Sequence, residues 1–511
     1  MAGIVVQKNY VSSNLTNINL ANNWMVLVFG VTNQGPTTPT LVQSYASFTG
    51  TFGQPVANVA THAYVQFLLN SGVPVLFKRV IDADKLVKAS ITVKGTASAD
   101  LFSITATDNY NGSVGNNIDV VISKNNVTNA CTMNVEFEQT TVETYSLGVA
   151  TSTITLGDLL YNFVSEASGS GSLNSQYITL KMIDSNATQW KDAFTEDSTK
   201  YTLIDGETPD NDLNAAISIL KDPSNKFWKD AKLADAMTYY PQLRFITSGG
   251  LIAEDTDTQT LINQNMGLFA INCKSSFRVL IDYPLGTKDV LKIVREFART
   301  EGSTGTVNPA MYAYFGGWGA DNNNNWLPGS AGFLTALALA GYNVYSRRIA
   351  GTGFTPAFTK SYTDLYIDSL NNWQAEDLVQ LNPIVIVDAQ NNLAVMGSST
   401  LAMPLSSLSA RNPAQALDVV LVGDYIAAIL NNIALGELES AFDRLSLNSL
   451  SSRMTTEVER FVTSRAITRY EFEFDTTQLG KLGINCTLYF AIGLKEVSLT
   501  ITSVYDTSAI S

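Results

Sequence analysis

Histidine is the scarcest residue of this chain, with His62 alone among 511 residues. A Ser-His-Asp or Cys-His arrangement would have to use it, and no Gly-x-Ser-x-Gly elbow presents a nucleophile. His62 lies in a helical pattern from Val59 to Leu69, where a structural histidine is the simpler interpretation. We therefore expect no catalytic residues and no enzymatic activity.

Charge is also sparse. Charged residues make up 15% of the chain, and 32 basic against 46 acidic residues give a formal net charge of −14. Lysine and arginine are scattered along the sequence and form no run that could neutralise phosphates, so we expect no nucleic-acid partner. The many Thr, Ser, Asn and Gly residues favour a β-rich protein with a neutral polar surface.

Cysteine occurs three times, at Cys131, Cys273 and Cys486. The wide spacing and odd number predict small buried residues in a reducing compartment, not a disulfide framework or a metal site. The first ten residues lack the basic and apolar regions of a secretory signal. The segment from Leu417 is too polar for a convincing membrane span, so we expect no direct membrane insertion.

Three short motifs resemble ligand sites but fail at a required position. Gly351–Pro356 has proline where a dinucleotide loop needs its third glycine. Gly480-Lys481 lacks the upstream glycine and the following Ser or Thr of a phosphate-binding loop. Residues 210–214 begin like a calcium loop, but its sixth position is Ala215 and its twelfth is Lys221. We therefore expect no cofactor and no metal.

The C-terminal stretch carries the clearest patterns. Apolar residues recur at helical spacing over Leu417–Leu445 and again from Met454 to Val462. Aromatic and charged residues then alternate from Arg469 to Asp475, which predicts a strand with one exposed face. Val497–Ile501 alternates in the same way, and an edge strand of this kind is typical of one that pairs with another chain.

The order of patterns predicts an α+β multidomain fold. We expect an α/β core built from N- and C-terminal parts, an inserted antiparallel β-rich domain, a middle α/β domain and terminal strand arms. The predicted segments are an N-terminal arm (1–23), a first core segment (24–88), the inserted outer domain (89–205), the middle domain (206–377), a second core segment (378–494) and a C-terminal arm strand (495–511).

Within these segments the patterns predict individual elements. The pattern of the first core segment predicts a strand, a helix and a second strand. This order favours a crossover that makes the two strands parallel. In the middle domain we expect strands at Arg244–Thr247, Phe277–Asp282 and Ala310–Phe315 and helices at Asp289–Arg299 and Gly332–Ala340. Loops are predicted at Ser168–Ser172 and Gly316–Asn325, and a further strand in Leu378–Val387.

The order of these features resembles the tail sheath proteins of contractile-tailed bacteriophages, as a divergent member. The run Trp24–Gly30, the Gly35-Pro36 turn and Phe52-Gly53 are similar to the family's first strand, turn and Phe-Gly segment. Asn70-Ser71-Gly72 and the strand that reaches Arg79 resemble its next turn and strand. Further on, Tyr110-Asn-Gly112 with Gly115–Ile118 resembles its Gly-x-x-Gly-Asn element, and the final helices and strands agree in order.

This resemblance implies a structural subunit. Sheath proteins polymerise as stacked rings, usually hexameric, around a tail tube, and contract from a metastable extended state to drive the tube through a host envelope. The implied partners are further copies of the chain, the tail tube protein, and baseplate and tail terminator proteins. The implied location is the virion, after assembly in the host cytoplasm.

The resemblance also implies strand exchange between subunits. We expect the arms to supply inter-subunit strands and the alternating strand to belong to the sheet that receives them. The proposed arm residues are Ile4, Val5, Val6, Val497, Leu499 and Ile501, and the proposed receiving residues are Tyr470, Phe472 and Phe474.

Three alternatives remain open at this point. The first is the sheath of a phage-derived injection machine, either a tailocin or a type VI-like system. The second is a β-rich surface or adhesion protein, which would need a secretion signal. The third is an enzyme on the α/β portion, which an activity lost on changing His62 or Gly351 would support.

Overall fold

The computed structural model describes residues 24–95, 99–169, 173–191, 193–194, 198–273, 277–288, 290–304, 307–346, 349, 354–361, 400–402, 414, 416–435, 444–475 and 483–490. The predicted strands at Ile4–Val6, Leu378–Val387 and Val497–Ile501 therefore lie outside the described residues. So do Gly351–Gly353 and Gly480-Lys481 of two of the short motifs.

Helices and strands alternate with short connections. The first segment forms β1 (Met25–Gly30), β2 (Thr40–Val42), α1 (Tyr45–Phe52), α2 (Thr61–Asn70) and β3 (Val75–Arg79). The second forms β4 (Ser90–Lys94), β5 (Asp100–Ala106), β6 (Ile118–Lys124), β7 (Ala130–Phe137), β8 (Thr140–Val149), α3 (Leu156–Gly169), β9 (Ile178–Met182), α4 (Ala187–Lys191) and β10 (Ser198–Thr202).

The remaining elements follow in the same way. The third segment forms α5 (Leu213–Leu220), α6 (Ala231–Ala234), α7 (Ala236–Tyr239), β11 (Leu243–Thr247), α8 (Thr256–Asn272), β12 (Arg278–Ile281), α9 (Val290–Thr304), β13 (Tyr312–Tyr314), β14 (Trp318–Ala320), β15 (Trp326–Pro328), α10 (Gly329–Leu339) and β16 (Lys360–Ser361). The last forms α11 (Leu417–Leu435), α12 (Arg444–Thr463), β17 (Arg469–Asp475) and β18 (Gly483–Tyr489).

A six-stranded sheet in the order β13-β12-β11-β1-β3-β2 organises the first compact unit. Its strands are parallel except for β2, which pairs antiparallel with β3. The predicted parallel crossover between β1 and β3 is confirmed. β1 is buried along its whole length, which agrees with the continuous apolar run that a strand covered on both faces requires.

Helices cover both faces of this sheet. Val26 and Val28 of β1 pack in a cluster with α1, α2 and α10, whereas Leu27 and Phe29 pack in a second cluster with α5, α8 and α9. Because successive side chains of a strand point to opposite faces, one apolar strand serves both layers. The result is a doubly wound α/β unit.

The strands from β4 to β10 form two antiparallel sheets. One sheet has the order β10-β6-β7-β8 and the other has the order β4-β5-β9. Both share a core with α3, in which the rings of Phe102 and Trp190 stack with centroids 5.2 Å apart. The insertion therefore has a hydrophobic core of its own.

Arg79 ties the insertion to the main sheet. Its guanidinium is buried and donates to the carbonyls of Thr32, Asn33 and Gly35 in the loop after β1. It also donates to the Asn111 side chain of the insertion over 2.7 Å. The motif residues Arg79 and Asn111 thus meet in space, which their separation of 32 positions did not reveal.

A second compact unit contains Val344–Arg347 and the described residues from Val422 onwards. Its core combines Val422 and Ile426 of α11 with Met454 and Phe461 of α12. The helix α11 also contains an 18-residue stretch, Leu417–Ala434, apolar and long enough to cross a membrane by length and composition alone. Core helices pass the same test, and α11 buries apolar residues against α12.

The expected division into core and middle domains is corrected by the sheet. Strands β11, β12 and β13 come from the predicted middle domain, yet they continue the sheet begun by β1 and β3. Residues 206–343 are therefore part of the α/β core. The described residues beyond Leu421, predicted to lie in the second core segment, belong to the second unit.

Two predicted loops also differ. The predicted Ser-Gly loop Ser168–Ser172 begins inside α3, which continues to Gly169. The predicted loop Gly316–Asn325 contains β14, which pairs antiparallel with β15. The turn between these two strands begins at Asp321. The Asp321 carboxylate accepts from the backbone N–H groups of Asn323 and Asn325, so the asparagine run forms a tight turn between strands.

Candidate functional site

The sheet has a topological switch point between β1 and β11. The chain runs from β1 to β3 on one side and later adds β11, β12 and β13 on the other. In open α/β sheets, ligands commonly bind in the crevice beyond the carboxyl ends of the strands at this point. This crevice is therefore the first place to look for an active site.

Here the chain itself packs closely at the strand ends. Gly249 follows β11 with φ +64°, and a Cβ atom added to it would lie 2.0 Å from the carbonyl oxygen of Phe29. Thr61 of α2 accepts a hydrogen bond from the N–H of Val31 over 3.0 Å. The close approach of the Gly249 backbone and the hydrogen bond from Val31 to Thr61 pack the chain tightly at the carboxyl ends of β1 and β11.

A buried polar network lies beside this crevice. The Asp282 carboxylate, at the end of β12, accepts hydrogen bonds from the N–H and the hydroxyl of Ser330 at the start of α10. The Tyr64 hydroxyl lies 3.0 Å from Ser330 Oγ and 3.3 Å from Thr247 Oγ1. Burial raises the pKa of Asp282 to about 7. These groups join α2, α10 and two strand ends, and their burial gives a substrate no access.

His62 belongs to a different environment. Its Nδ1 atom lies 3.3 Å from the Tyr45 hydroxyl, and its ring packs edge-on against Phe48 with centroids 4.9 Å apart. His62 is 3% exposed, and burial lowers its pKa to about 4. Its neighbours are those of a neutral core histidine.

One acidic residue of the calcium-like motif, Asp212, has a local structural role. The Asp212 carboxylate accepts from the N–H of Ala215 over 2.8 Å and thereby caps α5. Among the described residues, no group of three or more His, Cys, Asp and Glu side chains is arranged to hold a metal ion.

The predicted receiving residues lie on a β-hairpin. β17 and β18 pair antiparallel over seven positions, with Tyr470 opposite Leu488, Phe472 opposite Cys486 and Phe474 opposite Ile484. These six side chains form one face and pack against the core of α11 and α12. The sequence alternation is therefore confirmed as a strand with one apolar and one exposed face.

The hairpin has two unpaired edges in the part of the chain that the structure describes. There, β17 and β18 form a sheet of only two strands. A two-stranded sheet is marginal by itself, so this hairpin depends on its helices for stability. Its outer edges present backbone N–H and C=O groups to which a further strand can add.

A cleft of about 710 Å³ opens where the insertion meets the main sheet. We call it the junction cleft. Its walls come from the loop after β1, the segment around α1, the insertion and residues 208–211 before α5, and they include Asn33, Gln54, Tyr110, Glu138 and Asp210. The charged residues of its lining, Glu138 and Asp210, are both acidic.

Comparison with known proteins places this architecture. No protein-family model and no curated protein matches the sequence. Among solved structures, a sheath tail protein from Listeria innocua superposes with a TM-score of 0.56 over 91% of this chain and 95% of its own, at 13% identity. The chain has the fold of a sheath tail protein.

Two further structures superpose with lower TM-scores. A sheath tail protein from Desulfitobacterium hafniense covers 96% of this chain and 100% of its own at 12% identity, with a TM-score of 0.47. The sheath complex of an extracellular contractile injection system, in its contracted state, covers 58% of this chain and 82% of its own at 13% identity, with a TM-score of 0.37.

Proposed function

We propose that this chain is a subunit of a contractile tail sheath. It would polymerise around a tail tube and contract from an extended lattice to drive the tube through a host envelope. The observation that carries the proposal is the sheath-protein fold, shared over 91% of this chain. The tight packing of Gly249 against Phe29 and the hydrogen bond from Val31 to Thr61, at the strand ends where this architecture commonly holds a ligand, support a structural role.

The hairpin of β17 and β18 supports a connection between subunits by strand addition. Its apolar face is anchored on α11 and α12, while its edges are open in the described part of the chain. We propose that the sheet of Tyr470, Phe472 and Phe474 receives strands of neighbouring subunits, supplied by Ile4–Val6 and Val497–Ile501. Backbone hydrogen bonds of added strands would hold neighbours together while the subunits move as rigid bodies.

The remaining parts of the proposal concern the assembly. The sheath would be built of stacked hexameric rings in a phage tail. It would contact the tail tube protein along its length and the baseplate and tail terminator proteins at its two ends. Energy for contraction would be stored in subunit contacts during assembly, so the subunit itself would need no nucleotide site.

The test is assembly of the purified chain, viewed by negative-stain electron microscopy. We expect hollow striated tubes from the full chain and none after deletion of Lys495–Ser511. A sharper pair of variants replaces Val497, Leu499 and Ile501 by Asp in one chain, and Ser498, Thr500 and Thr502 by Asp in the other. The first should abolish tubes and the second should retain them, because alternate residues of a strand face opposite sides. Tubes formed by the deletion variant would refute the strand-exchange proposal.

A further inference from the structure

One buried side chain of the junction cleft has no hydrogen-bond partner. Gln34 lies in the loop after β1, is 7% exposed and lines the cleft. Its side-chain amide forms no hydrogen bond with any residue that the structure describes, whereas its backbone carbonyl accepts one from the Thr32 hydroxyl over 2.9 Å. A carboxamide has both donors and an acceptor, and burying it without partners costs free energy. The packing of the subunit therefore does not explain this amide.

The loop that carries Gln34 is held in one conformation. Arg79 donates to the other three backbone carbonyls of residues 32–35, on both sides of Gln34. The Gln34 side chain lies against the backbone of Gly53, where an added Cβ atom would come within 3.1 Å of its Cγ atom and 3.3 Å of its Oε1 atom. A binding group fixed in this way loses little conformational entropy when a ligand arrives.

Four further polar side chains open into the same cleft. Gln54, Asn117, Glu138 and Asp210 line it and are exposed. Among the described residues, none of these four side chains forms a hydrogen bond or an ion pair. With Gln34 the described lining presents three such carboxamides and two carboxylates, and it contains no lysine, arginine or histidine. These groups surround about 710 Å³, a volume within the range of ligand pockets.

The position of Glu138 carries backbone strain. Glu138 and Gln139 form the two-residue turn between β7 and β8, with φ of +49° and +66°. Asn and Gly are the preferred residues of such a turn, because other side chains are strained at positive φ. The turn places Glu138 in the cleft, and its N–H donates to the Asn117 carbonyl over 3.1 Å. Strain of this kind is commonly kept at binding sites.

Aromatic rings form the apolar part of the lining. Phe137 and Tyr177 are half-buried, and their ring centroids lie 5.9 Å apart. The ring of Tyr110 stacks on Tyr177 at 4.4 Å, and all three residues line the cleft. Partly exposed rings beside carboxamides and carboxylates can contact the C–H groups of a ligand while its hydroxyl groups reach the polar side chains.

We propose that the junction cleft binds an uncharged oligosaccharide. A sugar hydroxyl both donates and accepts hydrogen bonds, which matches a lining of carboxamides and carboxylates. The carboxylates of Glu138 and Asp210 disfavour an acidic ligand, because like charges repel. The buried group without a partner is the neutral amide of Gln34, which favours hydroxyl groups over a cation. Ligand hydroxyls that displace water at this amide keep its hydrogen bonds. This site goes beyond the proposed function and does not depend on it.

The test is binding of the full chain to uncharged saccharides, measured by saturation-transfer NMR and calorimetry. The probes are di- to tetrasaccharides of glucose, galactose, mannose and N-acetylglucosamine. We expect at least one of them to bind with a dissociation constant of about 1 mM or lower. Gln34→Met removes the amide at similar volume and breaks no hydrogen bond of the subunit, and it should weaken binding at least tenfold. Glu138→Ala should have an effect of similar size.

A matched control is Gln139→Met. It removes a carboxamide from the same turn as Glu138, but from a residue outside the cleft lining. Saccharide binding should be unchanged in this variant. A loss equal to that in Gln34→Met would overturn the proposal.

Two other kinds of ligand provide contradicting outcomes. Trilysine in low salt tests a cationic ligand, since exposed carboxylates attract it most strongly there. Trilysine binding that Glu138→Ala abolishes and Gln34→Met spares, with no saccharide bound, would overturn the proposal. So would the absence of binding by every saccharide of the panel, or equal binding of uronic-acid counterparts.

The sheath proposal is tested separately by electron microscopy of the same variants. Gln34→Met should form the same striated tubes as the unaltered chain. Loss of tubes in this variant alone would identify the cleft as a subunit contact and overturn the saccharide site. Saccharide binding by a chain that forms no tubes would support the site and count against the sheath.

Discussion

Two buried titratable residues have opposite effects on how stability depends on pH. His62 has its pKa lowered from 6.5 to about 4, so only the unfolded state gains its proton as pH falls through 6.5. Its contribution therefore decreases towards acid pH. Asp282 has its pKa raised from 3.8 to about 7, so the folded state keeps a proton that the unfolded state loses. Its contribution is complete below pH 3.8 and decreases as pH rises to about 7.

Between pH 5 and 6 the opposite pH dependences that these two residues give to the free energy of unfolding should largely cancel. A variant that removes one of the two groups should reveal the pH dependence caused by the other. For His62→Gln we expect the free energy of unfolding to fall with rising pH more steeply than in the unaltered chain, by up to about 1.4 kcal/mol per pH unit. For Asp282→Asn we expect a change of similar size in the opposite direction. Urea unfolding across this pH range measures both, and parallel curves for all three proteins would contradict the assignment.

Arg79 should contribute strongly to the free energy of unfolding. Its buried charge is compensated by three backbone carbonyls and Asn111, and burial lowers its pKa to about 10. Arg79→Met leaves four acceptors without this donor, so we expect a loss of about 3–5 kcal/mol in urea unfolding. Asn111→Ala removes one partner only and should cost about 1–3 kcal/mol. Equal and small effects would mean that the junction is not held by this residue.

At the scale of elements, the close packing at the strand ends depends on a turn that only glycine fits. Gly249 and Gly72 both have positive φ, +64° and +79°, so alanine is strained at either position. The two positions differ in the room available to a side chain. A Cβ atom added at Gly249 would lie 2.0 Å from the carbonyl oxygen of Phe29, whereas one added at Gly72 would have no atom within 4 Å.

We therefore expect Gly72→Ala to cost about 1 kcal/mol and Gly249→Ala to cost at least about 3 kcal/mol or to prevent folding. Soluble yield and thermal unfolding of the two variants provide the measurement. The comparison isolates the packing of the crevice from the backbone strain common to both sites. Similar stabilities would show that the crevice can open to accept a side chain.

At the scale of the whole molecule, the two compact units have separate cores. Met266 is fully buried in the core of α5, α8 and α9, and Met454 is fully buried in the core of α11 and α12. Because each unit buries its own apolar residues, we expect two calorimetric transitions.

Truncation of either methionine tests this organisation. Met454→Ala should lower the transition of the second unit, and Met266→Ala that of the first, each by about 2–5 kcal/mol. A single transition that both substitutions shift equally would indicate one cooperative unit instead.

The sequence by itself determined the elements and much of the candidate site. The apolar run of β1, the parallel crossover to β3 and the antiparallel insertion followed from periodicity, because side-chain burial repeats every two residues in strands and every three to four in helices. The same rule identified the exposed and buried faces of β17 through Tyr470, Phe472 and Phe474. It also suggested a structural His62.

Only the tertiary structure decided which elements combine. β11 lies beside β1 although more than 200 residues separate them, and no local pattern encodes such a pairing, which depends on the free energy of the whole sheet. For the same reason the sequence could not show that Gly249 packs against Phe29, that Arg79 reaches Asn111, or that Asp282 is buried.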